Sequence, residues 1–126
     1  MLFGRRISPE VAAQYAADKT LAGEYRARLA DVEEARAAQR AGAPDTAERR
    51  ALAGVLEKAL TAAVESAAAA ERVAMGPRTY GTSRAAEISR RKARAKASVR
   101  PYSEELDRLR TAREAHKLSY RSLERV

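Results

Sequence analysis

Apolar positions recur every three or four residues along three stretches of this chain. The first reads Val11, Tyr15, Asp18, Ala22, Tyr25, Leu29 and Val32, spaced four and three alternately. That period belongs to a helix with a single packed stripe. Ser8-Pro9-Glu10 supplies an N-cap, a proline at the first helical position and an acid in the first turn, so the helix is predicted over residues 8–41. Gly23 weakens the pattern only slightly, and Gly42-Ala43-Pro44 ends it. At ~1.5 Å per residue the rod is about 50 Å long.

The second stripe is Leu52, Leu56, Ala59, Ala63, Ser66, Ala70 and Val73, widened by Val55, Leu60 and Val64. Asp45 and Glu48 form a capping box and Gly76-Pro77 a stop, predicting a helix over 45–75. The short connection before it folds the two helices back on each other, as an antiparallel hairpin with coiled-coil-like packing. The third stripe, Tyr102, Leu106, Leu109, Arg113, His116, Tyr120 and Leu123, predicts a helix over 103–125 opened by Ser103-Glu104-Glu105. Between these, residues 76–83 read as a loop, and Ser83 caps a further helix over 83–98. The Arg100-Pro101 step ends or bends it. No strand-like alternation and no repeat occurs. The expected fold is therefore all-α: one domain over 1–126, with a long hairpin, a third helix and a C-terminal amphipathic helix, extended and oligomeric.

Composition thins the core. Of 57 hydrophobic residues 30 are alanine, and Leu, Ile, Val and Phe number only 20. Alanine favours helix but buries little area, so the helices are expected to draw stability from a partner, another subunit or a nucleic acid. Cysteine is absent, which excludes disulfides and thiolate metal sites. Asparagine is absent too, and Gln14 and Gln39 are the only glutamines. Loss of thermolabile residues beside many charges is a thermophile tendency; a GC-rich genome has the same effect, and the two are compatible. No run of apolar residues is long enough to span a membrane. Residues 1–7 lack the apolar core of a signal peptide, and Arg5-Arg6 reads as a short basic arm. The expected location is a virion, the cytoplasm or a nucleoid.

Charge changes the picture most. Residues 1–75 carry eleven basic and eleven acidic groups, and residues 103–126 carry six and five. The 27 residues between hold Arg78, Arg84, Arg90, Arg91, Lys92, Arg94, Lys96 and Arg100 against Glu87 alone. A concentrated cationic segment flanked by balanced ones is the electrostatic footprint of a polyanion binder. On a wheel at about 100° per residue, cations occupy most of the circumference of the 83–98 helix. Only a strip of Ile88, Ala95 and Val99 is apolar. Such a helix is either solvated, as a basic helix or linker without a ligand, or neutralised from outside. Phosphates would remove the mutual repulsion, and the loop before the helix adds backbone donors at a helix N-terminus. Tyr80 and Tyr102 flank the segment; core packing or a hydrogen bond to phosphate suits two aromatics better than base stacking.

Nothing in the segment reads bases: it has no asparagine or glutamine, no zinc-finger spacing and no tight turn before a recognition helix. The eight cations are candidate contacts to backbone phosphates, double-stranded DNA being favoured, with little sequence preference. Five to eight such contacts predict a salt slope of about −5 to −7.

Catalysis is not expected. His116 is the only histidine and sits on the last seam, where packing accounts for it. Glu33-Glu34 and Glu104-Glu105 are adjacent and so diverge on a helix. There is no nucleophile motif, phosphate-cradling loop or metal-ligand cluster, so no cofactor, metal or small-molecule substrate is expected.

The cysteine-free helical chain, the arginine-rich helix from Arg84 to Lys96, the breaks at Gly42-Ala43-Pro44 and Gly76-Pro77, and the missing asparagine together carry an architectural resemblance. The chain resembles the small α-helical coat proteins of filamentous archaeal viruses, which wrap A-like double-stranded DNA between helical arms of paired subunits. It departs from them in placing its basic residues in the second half rather than along an N-terminal arm. The resemblance implies a virion coat or nucleoid subunit that packages DNA by charge neutralisation and self-assembly, with homo- or hetero-oligomeric contacts through the seams and Tyr15, Tyr25 and Tyr120 as anchors. The alternative is an interaction module, such as a phage head–tail connector component or coiled-coil adaptor, whose basic helix meets an acidic surface. A sequence-specific regulator is a third reading.

Overall fold

A computed structural model describes residues 7–125, with side chains through Ser119. The basic arm at Arg5-Arg6 and the seam side chains Tyr120 and Leu123 lie outside the described residues and side chains. All regular structure among the described residues is helical: α1 (Pro9–Ala22), α2 (Tyr25–Ala41), α3 (Thr46–Met75), a 3-10 turn (Pro77–Thr79), α4 (Arg84–Arg94) and α5 (Arg100–Arg125).

Local chemistry sets most ends. The Ser8 hydroxyl accepts from the Val11 amide at 3.1 Å, Asp45 from Ala47 at 3.0 Å and Ser83 from Ala86 at 3.1 Å. Each satisfies an amide that the helix leaves open. At the other ends Gly42 and Gly76 take φ of 79° and 98°, where a side chain would be strained, and their amides close on the last carbonyls of α2 and α3.

The α3 helix is the hub, packing against α1, α2 and α5. Asp18 meets Arg72 and Arg28 meets Ala62, so α1 and α2 run opposite to α3. Ser103 meets Glu71 and His116 meets Ala53, so α5 also runs opposite to it. Between them lies a core of Val32, Ala35, Leu56, Leu60, Ala63, Val64, Ala67, Leu106 and Leu109. Four leucines contribute about 1.5–3 kcal/mol each. Alanines at Ala53, Ala63, Ala67 and Ala69 are almost fully buried, and their small size lets the neighbouring backbones approach α3.

Three boundaries differ from those the pattern predicts. The 8–41 helix is divided: Gly23 and Glu24 form a turn in which the Glu24 amide bonds Leu21 three residues back. Gly23 has no side chain to hold the α-helical path, and the i−3 bond tightens it. The basic helix stops at Arg94 rather than Ser98, because residues 95–99 turn to bury Val99, which is 1 % exposed. The last helix begins at Arg100, three residues early, with Pro101 in its first turn, where a missing N–H leaves no helical bond unmade. Val55, assigned to the second seam, is 55 % exposed instead, for it lies about 100° round the helix from Leu56.

Candidate nucleic-acid interface

The basic segment is docked on the helical core. Ala86 and Ala93, seven residues apart on α4, are buried at 4 % and 3 % exposure. Arg90 lies on the same side, half-buried, and its guanidinium donates to the carbonyls of Thr79 and Gly81, both at 2.7 Å. One arginine thereby ties α4 to the loop that precedes it. The apolar strip of the wheel is not the docked face: Ile88 is 45 % exposed and Ala95 is exposed, directly opposite the docked side. Once the helix breaks at Ala95, Val99 no longer shares its wheel, and the small Ala86 and Ala93 allow the closer approach.

The loop is held from the other side by Asp18 of α1. Arg72 of α3 donates to both its carboxylate oxygens, at 2.8 and 3.0 Å, and the Tyr80 hydroxyl donates to one of them. The Arg72 hydrogen bonds hold Asp18 below the ordinary carboxylate value against the opposing effect of burial. Burial, then the bond to Asp18, pushes the Tyr80 phenol up. Tyr80 also meets the edge of Tyr15, with ring centres 6.0 Å apart. Tyr80 is thus a packing and hydrogen-bonding residue.

The predicted contacts occupy four successive pieces of chain rather than one rod. Arg78 is in the 3-10 turn; Arg84, Arg91, Lys92 and Arg94 are on α4; Lys96 is in the following turn and Arg100 opens α5. All seven are exposed, and among the described residues none makes an ion pair with a carboxylate. Arg90 stands apart as a residue committed to internal carbonyls. Taking Ile88 as the outward pole, Arg84 and Lys92 lie about 40° to either side and Arg91 about 60° away.

Two clefts flank α4. One, of about 600 Å³, has Arg78 and Lys92 beside Ser8 and Ser83, the caps of α1 and α4. The other, of about 510 Å³, is lined by Asp18, Glu71, Arg72, Arg90, Arg94 and Arg110, with Gln14 and Tyr80. Arg72 and Arg110 belong to segments whose charges balance in sequence, so no linear signal marks them as neighbours of the basic helix; only the tertiary fold brings them to the cleft beside α4.

The remaining candidates have structural surroundings. His116 is 8 % exposed, and its Nε2 lies 2.8 Å from the Ala53 carbonyl. A carbonyl only accepts, so Nε2 carries the proton in that bond. Glu33 pairs with Arg36, and Glu105 accepts from the Tyr25 hydroxyl and from Arg108. Among the described residues no helix is long and apolar enough to cross a membrane.

No protein family, curated protein or solved structure matches the chain.

Proposed function

We propose that this protein is a structural, largely sequence-independent nucleic-acid-binding protein that packages double-stranded DNA, as a subunit of a virion coat or nucleoid. One observation carries the proposal: seven exposed cations, without acidic partners among the described residues, lie on and beside a helix that is already docked on a folded core. Arginine's fork suits phosphate oxygens, and a preformed surface avoids ordering entropy on binding. The long helical hairpin, the extended shape and the oligomer belong to the same proposal. The hairpin is supported by α1 and α2 both running opposite to α3, and the oligomer by an alanine-rich core that buries little area.

The test is a salt titration of duplex binding by fluorescence anisotropy. A slope of about −4 or steeper is expected; one shallower than about −2 rejects the surface as a DNA contact. Electron microscopy with and without DNA then reads assembly, with regular nucleoprotein filaments as the expected result.

A second reading, a helical interaction module, has its own observation. An apolar groove of about 600 Å³ lies where α1 breaks from α2, lined by Ala22, Ala67, Ala70, Val73, Pro101 and Tyr102. Discrete rings or free dimers in the same micrographs would favour it.

A further inference from the structure

The cleft between α1, α3, α4 and α5 contains four arginines in two different states. Arg72 is closed on the Asp18 carboxylate, and Arg90 on the Thr79 and Gly81 carbonyls. Glu71 accepts from Ser103 at 2.7 Å. That leaves Arg94 from α4 and Arg110 from α5, both exposed, with no ion pair or hydrogen bond among the described residues. Four arginines set against Asp18 and Glu71 leave the cleft lining with a net charge of +2, in a concave site whose low-dielectric walls concentrate the field. An anion between Arg94 and Arg110 would relieve their repulsion and complete their hydrogen bonding. Forked donors lining one cleft suit a tetrahedral group with several acceptor oxygens.

We infer that this cleft is a phosphate site in which Arg94 and Arg110 together grip one phosphate group. The group comes from a nucleic-acid backbone or from a free polyphosphate. Arg110 thereby joins the binding surface although it lies outside the basic segment. The first source rests on the proposed DNA-binding function; the second does not.

The experiment compares the full-length chain with Arg94→Gln, Arg110→Gln, the double variant and Arg50→Gln. Arg50 is an exposed cation on α3, roughly 30 Å along that helix from the cleft. For duplex DNA, each cleft variant is expected to lower the salt slope by about 1, and the double variant by about 2, with Arg50→Gln unchanged. Arg110→Lys tests the fork: it should retain the slope but bind more weakly than wild type. Thermal unfolding should be unaltered throughout, since neither arginine has an internal partner.

The second arm titrates inorganic tripolyphosphate and follows the arginine side-chain Nε–H signals by NMR. Selective shifts of Arg94 and Arg110, with the DNA slope unaltered by the variants, support the site and assign it to a free polyphosphate. The same shifts in a chain that does not bind DNA keep the cleft and reject the packaging function. A normal wild-type slope that survives the double substitution, without tripolyphosphate shifts, overturns the inference and leaves the packaging function standing.

Discussion

Arg72 closes a two-pronged hydrogen bond on Asp18, at 2.8 and 3.0 Å, across 54 residues of chain. The carboxylate is 12 % exposed and the guanidinium 44 %, so the pair is anchored on its acidic side and hydrated on its basic side. Tyr80 shares the same carboxylate. A single side chain of α1 therefore fixes both the end of α3 and the loop that leads into the basic helix.

Asp18→Asn should lower stability at neutral pH by about 1–3 kcal/mol, because one charged acceptor serves two donors. Asp18 is held below its ordinary value by the Arg72 bonds, so its contribution is present above the unfolded value of about 3.9. It is lost as pH falls through the lower, folded value. Urea unfolding from pH 7 to 3 should show a shallower acid loss in the variant than in wild type. Equal acid losses would remove Asp18 as the linked group.

Neighbouring arginines of α4 should behave oppositely. Arg90→Gln removes bonds to Thr79 and Gly81, costs about 1–3 kcal/mol and raises amide exchange through residues 77–94. Arg91→Gln should leave exchange unchanged and lower the DNA salt slope by about 1. Identical exchange profiles in the two variants would show that Arg90 does not position the helix.

Tyr25 tests the alkaline side. Burial first, then the hydrogen bond to Glu105, raises its phenol to about 12. A raised tyrosine stabilises fully below its unfolded value of about 10 and loses that contribution as pH rises toward the folded value. Tyr25→Phe should cost about 0.5–1.5 kcal/mol at neutral pH and remove part of the loss between pH 10 and 12. Tyr80→Phe supplies the comparison, since Tyr80 is shifted in the same direction. Phenolate absorbance against pH assigns each step.

Ser66→Ala should stabilise. Its hydroxyl is fully buried in α3 and has no hydrogen-bond partner among the described residues, and alanine is the better helix former. A gain of about 1 kcal/mol is expected by thermal unfolding. A loss would mean that the hydroxyl has an acceptor in solution.

The all-helical fold was legible because its signals are short-range. Ser8, Asp45 and Ser83 cap within three residues, Gly42 and Gly76 stop helices where their φ is positive, and the stripes contain Val32, Leu56, Leu106 and Leu109 of the core. The break at Gly23 was less legible, since a lone glycine inside a helical period is as compatible with continuation as with a turn. Val55 was read as widening a packed stripe and is exposed, because period shows that a stripe exists but not how wide a neighbour covers it.

The amino-acid sequence alone determined helix type, most helix ends and the 76–102 interval that holds the charge, since caps, propensity and net charge are properties of neighbouring residues. Tertiary structure decided which cations are available. Arg90 and Arg91 are identical and adjacent, yet one is turned onto two carbonyls and the other is exposed. Arg110 joins Arg94 only because α5 returns alongside α3. Partner choice depends on contacts across tens of residues, and no local pattern encodes those.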